Sequence, residues 1–122
     1  MLIGDNMEDQ LQNALNFANY RQSFSIQRKT LKEKIEAKLT YGFGGGIFKI
    51  DRELISFTQT LIDKERISGV VILDQNETPV LVDDLQQFQD DIISRYFEAT
   101  NEYFEQYQNL KKSRTVEKLI DL

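Results

Sequence analysis

An α+β fold dominated by helices is what this sequence predicts, with long N-terminal and C-terminal helices packed with a short helix and a small antiparallel β-hairpin or meander. Three observations carry that expectation. Residues from Asn6 to Leu39 include no proline or glycine. Four of the six glycines fall between Gly42 and Gly46. The segment from Leu85 to Leu110 holds the most regular apolar spacing in the chain. At 122 residues the whole chain reads as a single domain with one modest core.

The first helix is expected over residues 6–39. Leu11, Ala14, Leu15, Ala18, Phe24, Leu31, Ile35 and Leu39 recur near i, i+3/i+4, i+7 spacing. Asp5 or Asn6 would cap it, and the weaker helix formers between Tyr20 and Ser25 predict a bend or break. Residues 40–46 read as a glycine-rich joint, because glycine loses more backbone entropy on ordering than any other residue. Ile47 to Ile50 predicts a short strand. Asp51 then caps a second helix to about Lys64, with Leu54, Phe57 and Leu61 on one face and Ile55 and Ile62 beside it.

The β signal lies between Ser68 and Val82. Gly69 to Leu73 is β-branched and apolar, Asp74 to Thr78 has turn chemistry, and Pro79 to Val82 returns the chain. Proline has no N–H to donate, so Pro79 favours an edge strand. A bare hairpin is marginal in water; residues 47–50 are expected to add a third strand, and a helix to cover one face.

Asp83 and Asp84 open the last helix, expected over 83–110, where negative charge suits the N-terminal dipole. Leu85, Phe88, Ile92, Tyr96, Ala99, Tyr103, Tyr107 and Leu110 form one apolar stripe. Its 11-residue period implies a nearly straight or slightly right-handed seam and not a heptad supercoil. Ile93, Phe97, Thr100 and Phe104 form a second stripe alongside, so this helix should meet two partners. Residues 111–122 read as a separate tail. Lys111, Lys112 and Arg114 make a basic hinge, followed by an amphipathic segment with Val116, Leu119, Ile120 and Leu122. That tail is either a frayed terminus or a docking peptide for a groove on a partner.

Composition narrows the chemistry. There is no cysteine and no histidine, which removes disulfides, thiol nucleophiles, the commonest general base and the commonest metal ligand. The net charge of -5 argues against broad binding to nucleic acid or anionic membrane. No stretch approaches the roughly 20 apolar residues that span a bilayer, and the first residues do not resemble a signal peptide; an intracellular protein is expected.

Each pattern that hints at a site has a plainer reading beside it. The glycine run lacks the following Gly-Lys-Ser/Thr of a phosphate loop and feeds a strand, so a hinge or a close-packing joint is preferred. Asp74 to Thr78 opens like a calcium loop but has no glycine at the sixth place and Leu85 at the twelfth, so a hairpin turn is preferred. The pairs Asp83-Asp84 and Asp90-Asp91 read as a cap and a solvated face, a magnesium site being the alternative. The aromatics of the last helix sit among Glu98, Glu102 and Glu105, which would repel phosphate, so these rings are core or interface. Six basic residues between Arg21 and Lys38 face only Glu33 and Glu36, whereas nine acidic residues between Asp74 and Glu105 face only Arg95. These runs are two solvated faces, or complementary flanks that pair within the chain or between copies.

Three stretches, Tyr41 to Leu54, Val71 to Asp74, and Tyr96 to Tyr103 continuing to Lys111, Lys112, Ser113 and Arg114, together resemble a small protein of T4-like tailed bacteriophages, associated with the prohead core. The resemblance implies a non-enzymatic assembly or scaffold role in the host cytoplasm and the prohead or virion. It implies protein partners (further copies or other phage proteins) and no catalytic residue to carry over; no cofactor or metal is expected. The expected contact residues are Ile93, Phe97, Phe104, Lys111, Lys112, Arg114, Val116, Leu119, Ile120 and Leu122. The alternative is a small regulatory adaptor that binds a phage or host nucleic-acid enzyme through the tail.

Overall fold

The computed structural model describes the backbone of residues 2–120 and the side chains of residues 7–113. The element order is α1 (Leu2–Lys38), β1 (Thr40–Phe43), β2 (Gly46–Lys49), α2 (Arg52–Asp63), β3 (Val70–Leu73), β4 (Pro79–Val82) and α3 (Leu85–Ile120). This is the mainly helical α+β class that the sequence predicts. No helix among the described residues is long and apolar enough to cross a membrane.

The chain forms two compact units, one of residues 33–104 and one of residues 1–32 with 105–122. The first holds both hairpins, α2 and the adjoining ends of α1 and α3. Its core gathers Tyr41, Phe48 and Ile50 from the first hairpin region, Ile72, Val80 and Val82 from the second, and Leu85, Phe88 and Ile92 from α3. Phe88 is the hub, with its ring centroid 5.1 Å from that of Phe43, 5.2 Å from Phe48 and 6.0 Å from Tyr41. These are tilted and edge-on geometries that the aromatic quadrupole favours.

Residues 40–46 are a hairpin and not a joint. β1 and β2 pair antiparallel from Thr40↔Lys49 to Phe43↔Gly46. Gly44 and Gly45 make the turn at φ of 58° and 85°, a conformation that suits two-residue hairpins and that side chains resist. Close packing, the other half of the sequence reading, is what Gly46 serves. A Cβ on Gly46 would lie 2.5 Å from Val80 Cγ2 and 3.1 Å from Asp74 Oδ2. The strand expected at 47–50 therefore pairs with β1 and not with the β3–β4 hairpin, whose own register runs Val70↔Val82 to Leu73↔Pro79. Two separate two-stranded sheets result.

The helices follow their local chemistry. Asp51 caps α2, its carboxylate accepting from the Leu54 N–H at 2.8 Å. Asp84 does the same for α3, accepting from Gln87 N–H at 3.0 Å. On α2 the inward residues are Leu54, Ile55, Leu61 and Ile62 around a fully buried Thr58, whereas Phe57 is exposed. Thr58 takes the inner place because its hydroxyl donates to Ile55 C=O at 2.9 Å and Gln89 Nε2 closes on it from α3 at 3.4 Å. α1 shows no break at Tyr20 to Ser25, and it runs past the expected caps Asp5 and Asn6 to Leu2. Its apolar residues change face instead. At about 100° per residue, Leu11 and Leu15 project almost opposite to Phe24, Leu31 and Ile35. Accordingly Leu31 and Ile35 are buried, while Met7, Leu11 and Leu15 are exposed.

Gly46→Ala forces a methyl into Val80, and overpacking of this kind costs about 1–3 kcal/mol. Chemical denaturation should show that loss, with a smaller increment when the same change is made in a Val80→Ala background. Equal losses in the two backgrounds would show that Val80 is not the obstacle.

Candidate functional site

The residues expected to meet partners divide by face along α3. Leu85, Phe88, Ile92 and Ala99 are buried, and Tyr96 and Tyr103 are half-buried, so the first stripe is used inside the chain. The second stripe is not. Ile93 and Thr100 are half-buried at its margin, while Phe97 and Phe104 are 60% and 66% exposed. Burial of a phenylalanine ring is worth about 1.5–3 kcal/mol relative to leaving it in water, so two such rings on one face are apolar surface left without cover. Ile93 and Phe97 also border a shallow cleft of about 440 Å³ with Ile55, Gln59 and Arg52 of α2.

A second apolar surface escaped the sequence reading. Strand alternation turns Ile72, Val80 and Val82 inward and leaves Val71, Leu73 and Leu81 each 58% exposed. Val71 lies directly across from Leu81. Val71 and Leu73, with Phe57, edge an open groove of about 540 Å³ that also touches Asp51, Glu53 and Gln75. All four residues of Val70–Leu73 are apolar although a strand turns neighbours to opposite faces, and that was the available signal.

The basic end of the predicted contact set is in the other unit. Lys111 and Lys112 are exposed, and α3 continues through the expected hinge to Ile120. The side chains of Arg114, Val116, Leu119 and Ile120, and all of Leu122, lie outside the described residues. Lys111 Nζ lies 5.8 Å from the centre of the Tyr107 ring, and the Arg28 guanidinium 5.7 Å from the same ring. Tyr107 meets Phe24 edge-on at 6.4 Å. Arg21, Arg28 and Lys111 thus border one cleft of about 400 Å³ with Tyr20, Phe24 and Ser25. Sequence reasoning listed the charges and the rings but had no means of bringing together residues as remote as Phe24 and Tyr107.

Comparison with protein-family models, with characterised proteins and with solved structures finds no match for this chain.

The acidic patterns resolve into structural roles. Asp74 Oδ1 accepts from the N–H groups of Asn76 and Thr78, and Oδ2 from the N–H of Ile47, all at 2.8 Å. Gln75 N–H donates back to Ile47 C=O at 3.0 Å. This carboxylate therefore joins the turn of the second hairpin to β2 of the first, which is why Gly46 beside it has no room for a side chain. Asp90 and Asp91 accept from Gln86 and Gln87 one turn earlier. Lys34 and Lys38 both pair with Glu102, so the basic and acidic flanks do meet within the chain at this point. Tyr41 is pushed above the usual phenol range, first by burial and then by the neighbouring Asp91 carboxylate; the Arg95 guanidinium, 4.4 Å over its ring, acts the other way. Among the described residues no three acidic side chains converge as metal ligands.

The backbone donors hold Asp74 below the ordinary carboxylate range, the Ile47 N–H contributing most and burial opposing it. Its proton affinity is lower in the folded chain than in the unfolded chain. The stabilisation is therefore present above the unfolded value and lost as pH falls through the folded one. Asp74→Asn should lower the thermal midpoint at neutral pH and flatten its fall below about pH 4. Parallel acid curves for wild type and variant would contradict this assignment.

Proposed function

We propose that this chain is a non-enzymatic assembly protein of a phage particle, acting in the host cytoplasm and in the prohead or virion through helix-mediated contacts with other protein subunits. The observation that carries the reading is the pair Phe97 and Phe104, projecting from a helix whose opposite face is already consumed by the core. Exposed rings aligned at helical spacing suit insertion into a partner's groove, and aromatic residues dominate the energy of such interfaces.

Two further facts support it. With neither histidine nor cysteine in the sequence, acid–base or nucleophilic work would fall to carboxylates, lysine, tyrosine or hydroxyls. The most enclosed carboxylate, Asp74, already accepts three backbone donors. The resemblance of Tyr41 to Leu54 and its companion stretches to phage proteins points to particle assembly as the setting. Partners are protein subunits, with no role assigned to membrane, nucleic acid or cofactor.

The double variant Phe97→Ser, Phe104→Ser tests the reading. Substitution at such exposed positions should change stability by only about 0.5 kcal/mol. Wild type should exceed its 14.3 kDa monomer mass in light scattering, or retain a phage head protein on a column, and the variant should do neither. A variant that associates like wild type, with its fold intact, would contradict the proposal.

A further inference from the structure

Two strand edges in unit 33–104 border one groove without pairing across it. Along an antiparallel ladder, residues alternate between exchanging both backbone bonds with the partner strand and turning both groups outward. Asp74 N–H donates to Thr78 C=O at 2.9 Å, one step beyond the Leu73↔Pro79 pair. The alternation therefore commits Val70 and Ile72 to β4 and turns the N–H and C=O of Val71 and Leu73 away from it. On the first hairpin, Ile50 N–H donates to Leu39 C=O at 2.7 Å, one step beyond the Thr40↔Lys49 pair. Phe48 then bonds to β1, and Ile47 and Lys49 turn outward.

The two outward edges are clasped at one end. Ile47 N–H donates to Asp74 Oδ2 at 2.8 Å, and Gln75 N–H donates to Ile47 C=O at 3.0 Å. Past that clasp β2 and β3 belong to separate sheets. Among the described residues, nothing bonds to the outward backbone groups of Lys49, Val71 or Leu73. All three line the open groove of about 540 Å³, together with Leu54 and Phe57 of α2. Unpaired edges of this kind are templates for a further strand. The groove walls also carry Asp51, Glu53 and Asp74 against Lys49, and none of these carboxylates is paired with a cation among the described residues. Asp51 and Asp74 accept backbone N–H groups, which hold a carboxylate in place and leave its charge.

We infer that this groove takes an extended segment of a partner protein, which enters between β2 and β3 and joins the two hairpins into one sheet. The occupant is a strand because both rims offer main-chain donors and acceptors. It carries apolar side chains at alternate positions, to meet Leu54 and Phe57, and lysine or arginine to answer the carboxylates. Phe97 and Phe104 take no part in this contact, so it is tested independently of the α3 face.

Titration of the full chain with the end-capped peptide Lys-Val-Thr-Val-Thr-Val-Lys, followed through backbone amide chemical shifts, tests this. Saturable shifts should appear at Lys49, Val71 and Leu73, and exchange of their amide protons with solvent should slow about tenfold or more. Glutamate in place of both peptide lysines should weaken binding about tenfold. N-methylation of the peptide valines keeps the side chains, removes main-chain donors and should abolish binding. In the protein, Val71→Pro should also abolish it, because proline removes an outward N–H without taking a bond from the β4 ladder. Circular dichroism checks the fold; if proline unfolds the chain, Phe57→Ser replaces it, with weakened binding expected. A peptide that shifts no amide at any soluble concentration overturns the inference, as do shifts confined to residues away from the groove. So does an N-methylated or glutamate-ended peptide that binds as tightly as its parent, or a folded Val71→Pro chain that binds like wild type.

Discussion

Phe88 and the stripe it belongs to set the limits for unit 33–104. Two small hairpins and a twelve-residue helix cannot bury enough surface alone; a two-stranded sheet is marginal in water. They become stable together because each lays side chains against the same face of α3. Tyr41, Phe43 and Phe48 close on the Phe88 ring, while Ile72, Val80 and Val82 complete the core with Leu85 and Ile92. Truncating a buried ring of this kind costs about 3–5 kcal/mol, a large share of the stability of a small domain. A helix has one circumference. Committing this side of α3 to the hairpins leaves Phe97 and Phe104 with no internal surface to cover them, and that is the step from packing to function.

The same logic separates exposed side chains whose place packing dictates from the face singled out. Isolated exposed hydrophobics are ordinary, and Phe57 is explained by Thr58 and Gln89 taking the inner position on α2. Val71, Leu73 and Leu81 follow from a strand with one face buried and the other open. Met7, Leu11 and Leu15 follow from the change of face along α1. The α3 face differs in carrying two exposed aromatic rings seven residues apart on one side of one helix.

Much of the fold was legible because local chemistry decides it. Asp51 and Asp84 sit where a carboxylate can accept from the third N–H onward, and both cap. Val70–Leu73 and Pro79–Val82 are apolar and rich in β-branched residues with turn residues between them, and they pair. The 3, 4, 4 spacing from Leu85 onward supplies the buried Leu85, Phe88, Ile92 and Ala99 of α3. What escaped depends on partners remote in sequence. Tyr41 to Phe43 reads poorly as a strand because glycine interrupts it, yet pairing with Ile47 and Phe48 and burial against Phe88 override that weakness. Asp74 looks like a turn residue until Ile47, 27 positions away, is placed at its second oxygen. The seam-facing and solvent-facing parts of α1 merge in a list of apolar residues, since a stripe that changes side keeps nearly the same spacing. Of the contact residues, the exposed rings were legible from the second stripe. The aromatic seat of Arg28 on Tyr107 was not.

Hydroxyl-radical footprinting read by mass spectrometry, across a range of protein concentrations, tests the central claim most directly. Oxidation at Phe97 and Phe104 should fall as concentration rises, while that at Phe57, exposed but outside the contact face, stays level. Unchanged oxidation of Phe97 and Phe104 from dilute to concentrated solution would contradict it.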